Sequence, residues 1–219
     1  LHADMAEGFL VGGSEAPLTP FTLAQMKALK IYGSFGDTYP CLPLLLEKHK
    51  NTMVLGEGSA VFAIEKGDKP NALATIIGIG YATEVITHPV AISPEAEALQ
   101  RSMRQALQGL NPAEVDVVIP HCTGTIKGDE AEYHALREVF GENLPLLTSN
   151  KWKIGHTFAS SGALALEMAV LMLQYHQFLA VPYLPQTSPR PLKKILVNAT
   201  GFGGNAVSVL LSLPQGTKN

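Results

Sequence analysis

The chain has 219 residues, of which 46% are apolar and only 16% are charged, whereas about 25% of the residues in an average soluble domain are charged. This composition predicts that much of the chain is buried, either in its own core or against a partner. The net charge of −3 argues against nucleic acid as the main ligand, because no basic stripe is present to displace counterions.

No membrane segment is expected from the sequence. The longest apolar stretch, residues 163–175, is interrupted by Glu167 and is shorter than the run of about 20 residues that spans a bilayer. The first residues, LHADMAEGFLVGG, contain acids and no basic segment, so they do not predict a signal peptide. They resemble the end of a helix followed by a strand, which predicts that the chain begins inside a larger fold.

The chain contains two cysteines, Cys41 and Cys122. Two cysteines are too few for a disulfide framework and are typical of a reducing compartment, so we expect a cytoplasmic protein. Cys41 lies in a segment rich in glycine and proline, and we interpret it as structural.

The first part of the chain predicts one helix and two strands. Residues 19–30 have helical spacing after a Thr-Pro start, and residues 31–50 are expected to be irregular. The β-rich runs 59–65 and 73–81 are separated by the turn-like KGDKPN. This pattern predicts neighbouring, antiparallel strands.

The second part predicts alternating helices and strands. Residues 93–110 have the features of a helix capped by Ser93 with Pro94 at its first position. The later helices are predicted over about 129–140 and 157–178, and the strands over 115–120, 145–148, 194–199 and 205–213. Nearly all strand residues are apolar, which predicts an α/β protein with a sheet covered on both faces.

Three chemistry-bearing groups follow predicted strands. His121 follows VDVVIP, Lys151 and His156 follow PLLT, and the glycine loop 201–204 follows KILVNA. Each is a weak signal alone, because a single histidine after a strand is more often a core or turn residue, and GFGG is usually only a tight turn. Functional groups gather beyond the carboxyl ends of strands in open α/β sheets, so the three together predict one shared cleft.

These residues also form a known pattern. The motifs HCTGT…GD…E, NKWKIGH…SSG and TGFGGNA resemble, in order and spacing, the C-terminal half of the β-ketoacyl synthases of the thiolase-fold superfamily. Residues 11–20 and 53–65 resemble the passage that joins the two halves of that family. The resemblance implies a thiolase-like layered αβαβα sandwich, with residues 1–67 as the end of the N-terminal half and 68–219 as the C-terminal half.

The resemblance also implies roles for individual residues. His121 and His156 would polarise the malonyl thioester carbonyl, Lys151 would order the site, and the backbone N–H of Phe202, the gating phenylalanine, would be an oxyanion donor. The remaining residues implied to contact the substrate are Thr123 and Thr125, which would hold the phosphopantetheine arm, and the loop glycines Gly201 and Gly203.

The implied activity is the decarboxylative Claisen condensation of an acyl group with malonyl-acyl carrier protein, in fatty acid or polyketide synthesis. No bound cofactor or metal is implied, since the phosphopantetheine arm of the carrier protein brings the substrate. The implied partners are that carrier protein, an upstream half with the nucleophilic cysteine, and a second subunit in a homodimer or a ketosynthase heterodimer. Fixed donors aimed at the thioester oxygen suit this reaction, and a helix N-terminus after His156 would keep its imidazole neutral.

The sequence departs from the family pattern at several positions. Cys122 stands where glycine is usual and Gly124 where serine is usual, so we interpret Cys122 as a small residue in a turn and not as a nucleophile. Ala165 replaces a usual glutamate, and Glu167 cannot be assumed to substitute for it. Trp152 and Lys153 replace smaller residues, which affects the expected shape of the acyl pocket.

Other functions remain open at this point. A non-catalytic chain-length partner of a ketosynthase is one alternative, although a scaffold would not need His121, Lys151 and His156 together. A thiolase shares the fold but fits GFGGNA less well. A zinc site built from His121, Cys122, His134 and His156 has suitable ligand types but no closed zinc spacing. The acyl chain length and the pathway are not determined.

Overall fold

A computed structural model of the chain describes residues 6–33, 38–67, 69–85, 93–184, 186 and 191–214. Its strands are β1 (Gly8–Glu15), β2 (Gly58–Glu65), β3 (Thr75–Thr83), β4 (Val117–Ile119), β5 (Leu146–Leu147), β6 (Lys194–Gly201) and β7 (Asn205–Ser212). Its α-helices are α1 (Pro20–Ala28), α2 (Glu97–Ala106), α3 (Ile126–Phe140), α4 (Lys151–Ile154) and α5 (Ser161–Tyr175).

The larger sheet has five strands in the order β3-β7-β6-β4-β5. Strand β4 runs parallel to β5 and β6, while β7 is antiparallel to β3 and β6. Successive residues of a strand face opposite sides, so Val118 packs with α2 and α3, whereas Val117 and Ile119 pack with α5. The predicted sheet covered on both faces is therefore confirmed.

The smaller sheet is the antiparallel pair β1-β2. The prediction that residues 59–65 and 73–81 are neighbouring strands is wrong, because β2 pairs with β1 and β3 pairs with β7. Strand β3 instead packs closely against α2, where a side chain at Gly78 or Gly80 would collide with the main chain of that helix. Helix α5 contacts both β2 and β6, so it lies between the two sheets.

Helix α2 begins later than its sequence predicts. The predicted cap Ser93 lies four positions before the first helical residue, Glu97, and its N–H and hydroxyl both bond to the carboxylate of Glu84. The same carboxylate accepts the N–H of Ala98 at 3.0 Å. Glu84 thus caps the helix in place of Ser93, because a carboxylate can satisfy several free N–H groups at a helix start.

Helix α5 also begins later than predicted. A 3₁₀ turn covers Phe158–Ser160, and the α-helix starts at Ser161. Phe158 has a φ of 41°, a left-handed conformation that is rare for a bulky side chain. The backbone therefore turns sharply between His156 and α5.

By length and composition alone, the segment Phe158–Tyr175 could cross a membrane, with 39% of it buried. The apolar stretch read from the sequence, residues 163–175, is thus shorter than this 18-residue helical segment. The core helix of a globular domain meets the same criteria, and α5 buries Ala165, Ala169 and Leu173 between the sheets. Leu171 is 42% exposed, so the helix is not buried on every side by this chain.

Candidate active site

The loop between β4 and α3 is held by a buried carboxylate. Glu132 accepts the backbone N–H of His121 at 2.9 Å and that of Cys122 at 2.7 Å, and it also accepts the amide of Asn198 at 3.2 Å. Burial raises the pKa of Glu132, while these three donors oppose the shift. The carboxylate therefore fixes the main chain from which the His121 side chain extends.

A second carboxylate ties the same loop to the irregular segment before β2. Asp129 lies three positions before Glu132 on α3, so the two share a helix face. Its carboxylate pairs with Lys48 at 2.9 Å and accepts the backbone N–H of Gly124 at 3.1 Å and of Leu44 at 3.2 Å. Breaking such a buried pair by removing one partner costs about 3–5 kcal/mol, so Asp129 is a structural anchor of the loop.

The conformation of the loop explains the glycine where the family usually has serine. Gly124 has a φ of 86°, a conformation that favours glycine. A Cβ atom at this position would lie 2.7 Å from the hydroxyl oxygen of Thr52, so the replacement fits the packing of this chain.

The backbone of His156 is bound to the segment before β2. Its N–H donates to the carbonyl oxygen of Val54 at 2.7 Å, and its carbonyl oxygen accepts the N–H of Gly56 at 3.1 Å. Gly155, with a φ of 76°, allows this close approach, because a Cβ atom there would lie 2.7 Å from the carbonyl carbon of Leu55.

The two histidines meet in the structure as the sequence predicts. The ring centroids of His121 and His156 are 5.1 Å apart with an interplanar angle of 86°, and the ring of Phe158 lies 5.1 Å from His156 on another side. Nδ1 of His156 lies 3.3 Å from the hydroxyl oxygen of Ser161. The strands and turns thus bring both imidazoles into one cluster.

Both imidazoles are neutral at physiological pH. Burial, with a smaller contribution from Lys151, lowers the pKa of His156 to about 3. Burial and the charges of Lys151 and His156 lower the pKa of His121 well below its usual value. The predicted neutrality of His156 therefore has a different cause from the one expected, since α5 begins only at Ser161. A neutral imidazole carries one N–H and can act as a fixed donor.

Lys151 lies beneath this cluster and is 2% exposed. Burial lowers the pKa of its ammonium group, and the charge of Glu132 is the largest opposing influence. Ala165, which replaces the glutamate usual in the family, is buried in the core on α5, and Glu167 is exposed, so neither position places a carboxylate in this buried cluster. Glu132 is its main counter-charge here.

A cavity of about 780 Å³ lies over the histidines. Six of the predicted site residues line it: His121, Thr123, Thr125, His156, Gly201 and Phe202. Two do not, since Lys151 is buried below the cavity and Gly203 forms the turn of the glycine loop with a φ of 98°. Trp152 and Lys153 also lie outside the lining, so these replacements do not shape the described cavity.

Both cysteines are buried and protonated. Burial raises the pKa of the Cys41 thiol to about 11 and that of the Cys122 thiol well above its usual value. Since the thiolate is the reactive form, the interpretation of both as structural agrees with the geometry. His134 pairs with Glu138 on the exposed side of α3, and no group of three or more metal-ligating side chains occurs among the described residues.

Residues 73–183 match the model of the C-terminal domain of β-ketoacyl synthases. The chain belongs to the β-ketoacyl synthase family. Among the relatives of this chain, a putative polyketide β-ketoacyl synthase from Streptomyces cyaneus is 28% identical over 97% of the chain and 56% of its own length. Nodulation protein E of Rhizobium leguminosarum bv. trifolii is 31% identical over 85% of the chain and 46% of its own length.

Solved structures show the same fold. A β-ketoacyl synthase from Burkholderia phymatum superposes with a TM-score of 0.84 at 24% identity, over 98% of this chain and 56% of that chain. A ketosynthase in complex with its chain length factor from Xenorhabdus doucetiae gives 0.83 at 25% identity, over 97% and 54%. The thiolase-like α/β fold is therefore confirmed, and the chain spans about half the length of the relatives that it matches.

The sequence gives no sign of the roles of Glu132, Asp129, Asn198 and Ser161. The stretch GDEAE belongs to the family pattern, but acids at a helix start usually face solvent. Only the fold shows that two of these acids are buried.

Proposed function

We propose that the chain provides the charge-stabilising half of a β-ketoacyl synthase active site, which acts in fatty acid or polyketide synthesis. The nucleophilic cysteine would come from a segment upstream of residue 1. The observation that carries the proposal is the pair of neutral imidazoles, His121 and His156, with ring centroids 5.1 Å apart at the wall of one cavity.

The proposed reaction uses these imidazoles as donors. The bond between the methylene carbon and the carboxylate of the malonyl thioester breaks, CO₂ leaves, and the electron pair passes to the thioester oxygen. N–H groups of His121 and His156 stabilise this enolate, as preorganised donors do for developing oxyanions. The methylene carbon then forms a bond to the acyl carbon held on the upstream cysteine, whose thiolate leaves. The N–H of Phe202 would stabilise the oxyanion of this second step.

The proposed substrate carrier is acyl carrier protein. The hydroxyl groups of Thr123 and Thr125 lie 3.3 Å apart and line the cavity, where they can bind the amide groups of a phosphopantetheine arm. One structural relative is a ketosynthase in complex with its acyl carrier protein, from a type II polyketide system.

We propose that the protein containing residues 1–219 needs no bound cofactor, acts in the cytoplasm, and works as a homodimer or a ketosynthase heterodimer. In this proposal, residues 1–67 are the end of the N-terminal half of the synthase and residues 68–219 are its C-terminal half.

One observation favours a second candidate function. Ala165 stands where the family usually has a glutamate, and two structural relatives are complexes of a ketosynthase with a chain length factor. A non-catalytic subunit of such a heterodimer would tolerate this loss. The retention of His121, Lys151 and His156 favours catalysis instead.

The two functions are distinguished by assaying the complete protein with its preceding segment. A catalytic protein should form an acyl adduct on an upstream cysteine when incubated with an acyl thioester, detected by intact mass, and should release CO₂ from malonyl-acyl carrier protein. A protein that forms no adduct and releases no CO₂, alone or with a companion ketosynthase present at equal concentration, would contradict the catalytic proposal.

Replacing Cys122 with glycine should leave the condensation rate within a few-fold of the parent. The backbone N–H that bonds to Glu132 remains in Cys122→Gly, and only a small buried side chain is lost. We expect a modest loss of stability, about 1 kcal/mol. Peptide mapping after incubation with a labelled acyl thioester checks the assignment, because label on the Cys122 peptide would show that this thiol is the nucleophile.

A further inference from the structure

The ring of His156 is held by two aromatic rings and one hydroxyl group. His121 and Phe158 each place a ring centroid 5.1 Å away, at interplanar angles of 86° and 71°. Within the described part of the chain, the one hydrogen bond of the ring joins Nδ1 to the hydroxyl oxygen of Ser161 at 3.3 Å. Packing therefore fixes the plane of the ring, and Ser161 provides its polar contact.

The backbone turn after His156 brings Ser161 back to the ring. Residues five positions apart lie on different sides of a regular α-helix, since each residue advances the helix by about 100°. The chain instead passes through Phe158 with a φ of 41° and a 3₁₀ turn before α5 begins at Ser161. A left-handed phenylalanine costs free energy, and such conformations cluster at functional sites. In this protein, the turn places the hydroxyl group of Ser161 next to the ring of His156.

The neighbouring serine provides a comparison. Ser160 and Ser161 are both buried, but the hydroxyl of Ser160 donates to the carbonyl oxygen of Thr157 at 3.0 Å. The hydroxyl of Ser161 has no partner other than His156 among the described residues. A hydroxyl has one hydrogen to donate. Ser161 lies at the cavity wall and is 3% exposed. If Nδ1–H were the donor, the hydroxyl hydrogen of Ser161 would have no acceptor among the described residues and would need one from a molecule in the cavity. The arrangement that satisfies both groups within the protein has the hydroxyl as donor and Nδ1 as acceptor.

The direction of this bond determines where the imidazole carries its proton. A neutral imidazole has one N–H, and the bond made by one ring nitrogen sets the protonation of the other. We propose that Ser161 is a positioning residue that holds His156 in the tautomer protonated at Nε2. The ring then presents an N–H donor at the nitrogen opposite Ser161. The value of that donor for the thioester oxygen rests on the proposed function, whereas the tautomer itself does not.

The experiment uses the complete protein labelled with ¹⁵N-histidine. Long-range ¹H–¹⁵N correlation spectra distinguish protonated from unprotonated ring nitrogens, and the His156→Gln variant identifies the His156 signals by their loss. Ser161→Ala is compared with Ser160→Ala, which removes a hydroxyl group of the same size from the adjacent buried position. Malonyl decarboxylation is measured on the same samples.

We expect the parent to show an unprotonated Nδ1 and a protonated Nε2 at His156. Ser161→Ala should shift the Nδ1 signal and introduce the second tautomer. It should also slow decarboxylation by about 3- to 10-fold, the effect of losing one neutral hydrogen bond. Ser160→Ala should leave the His156 signals in place.

A protonated Nδ1 in the parent would overturn the proposal, and so would unchanged His156 signals in Ser161→Ala. The parent spectrum decides the tautomer even if Ser161→Ala does not fold. The expected tautomer together with shifted His156 signals in Ser161→Ala, in a protein that releases no CO₂ from a malonyl carrier, would support the assignment of Ser161 while contradicting the proposed function.

Discussion

Replacing His156 with alanine in the complete protein should lower malonyl decarboxylation by about 10²–10³-fold, and His121→Ala should have an effect of the same size. Each change removes one fixed donor from the developing enolate oxygen, and the loss of one such donor typically costs this much in rate. The acylation of the upstream cysteine should be less affected, because it develops its charge at another oxygen. The release of CO₂ from malonyl-acyl carrier protein measures the first step directly.

His134→Ala is the matched control for both variants. His134 lies on the exposed side of α3, 3.9 Å from Glu138, so its loss should leave the rate unchanged. Burial lowers the pKa of His156 to about 3, so protonation of this imidazole should not reduce the rate between pH 8 and pH 5. Burial also lowers the pKa of His121 well below its usual value, which acts in the same direction. A His121→Ala protein that decarboxylates at the parental rate would show that the assigned role is wrong.

Residues 1–219 expressed alone should aggregate or remain partly folded. Among the described residues, the smaller sheet consists of the two strands β1 and β2, and Leu10 and Val61 are 80% and 64% exposed. An isolated pair of strands is marginally stable at best. On the larger sheet, the apolar side chains of Ile79 and Tyr81 on β3 are 58% and 74% exposed. Exposed apolar patches larger than a few hundred Å² are rare on soluble monomers.

The test compares residues 1–219 alone with the same residues expressed together with the preceding segment. Size-exclusion profiles and thermal unfolding curves are recorded for both. We expect a discrete species with a cooperative transition only when the preceding segment is present. A monodisperse monomer with a sharp transition from residues 1–219 alone would contradict the prediction.

The sequence predicted the meeting of the two histidines because strand ends are visible in it. His121 and His156 each follow an apolar run, and parallel strands carry their carboxyl ends to one edge of a sheet. The order of helices and strands could also be predicted, since the two have different apolar periodicities. The first residue of helix α2 could not be predicted. Ser93 and Pro94 are a local signal, whereas the group that caps the helix is Glu84, which the end of β3 brings to it.

The supporting residues could not be predicted for a related reason. In the sequence, Glu132 looks like any acidic residue in the early turns of a helix, and such residues are usually exposed to solvent. Its burial depends on where the fold places α3, so that the side chain of Asn198 on β6 reaches the same carboxylate. The pairing of β3 with β7 likewise depends on contacts between residues far apart in sequence, whereas the hairpin pattern rests on neighbours alone.

The bonds between His156 and residues 54–56 have a consequence for hybrid proteins. Consider a hybrid that takes residues 1–67 from one family member and residues 68–219 from another. Its residues 54–56 and its His156 would then come from different parents. Because main-chain groups make the bonds between them, most side-chain differences at residues 54–56 would not disturb these bonds. Two positions are exceptions, since a Cβ atom at Gly56 or Gly155 would collide with the opposite backbone. Compatibility between the exchanged parts at these bonds therefore reduces to a pair of glycines, one contributed by each parent.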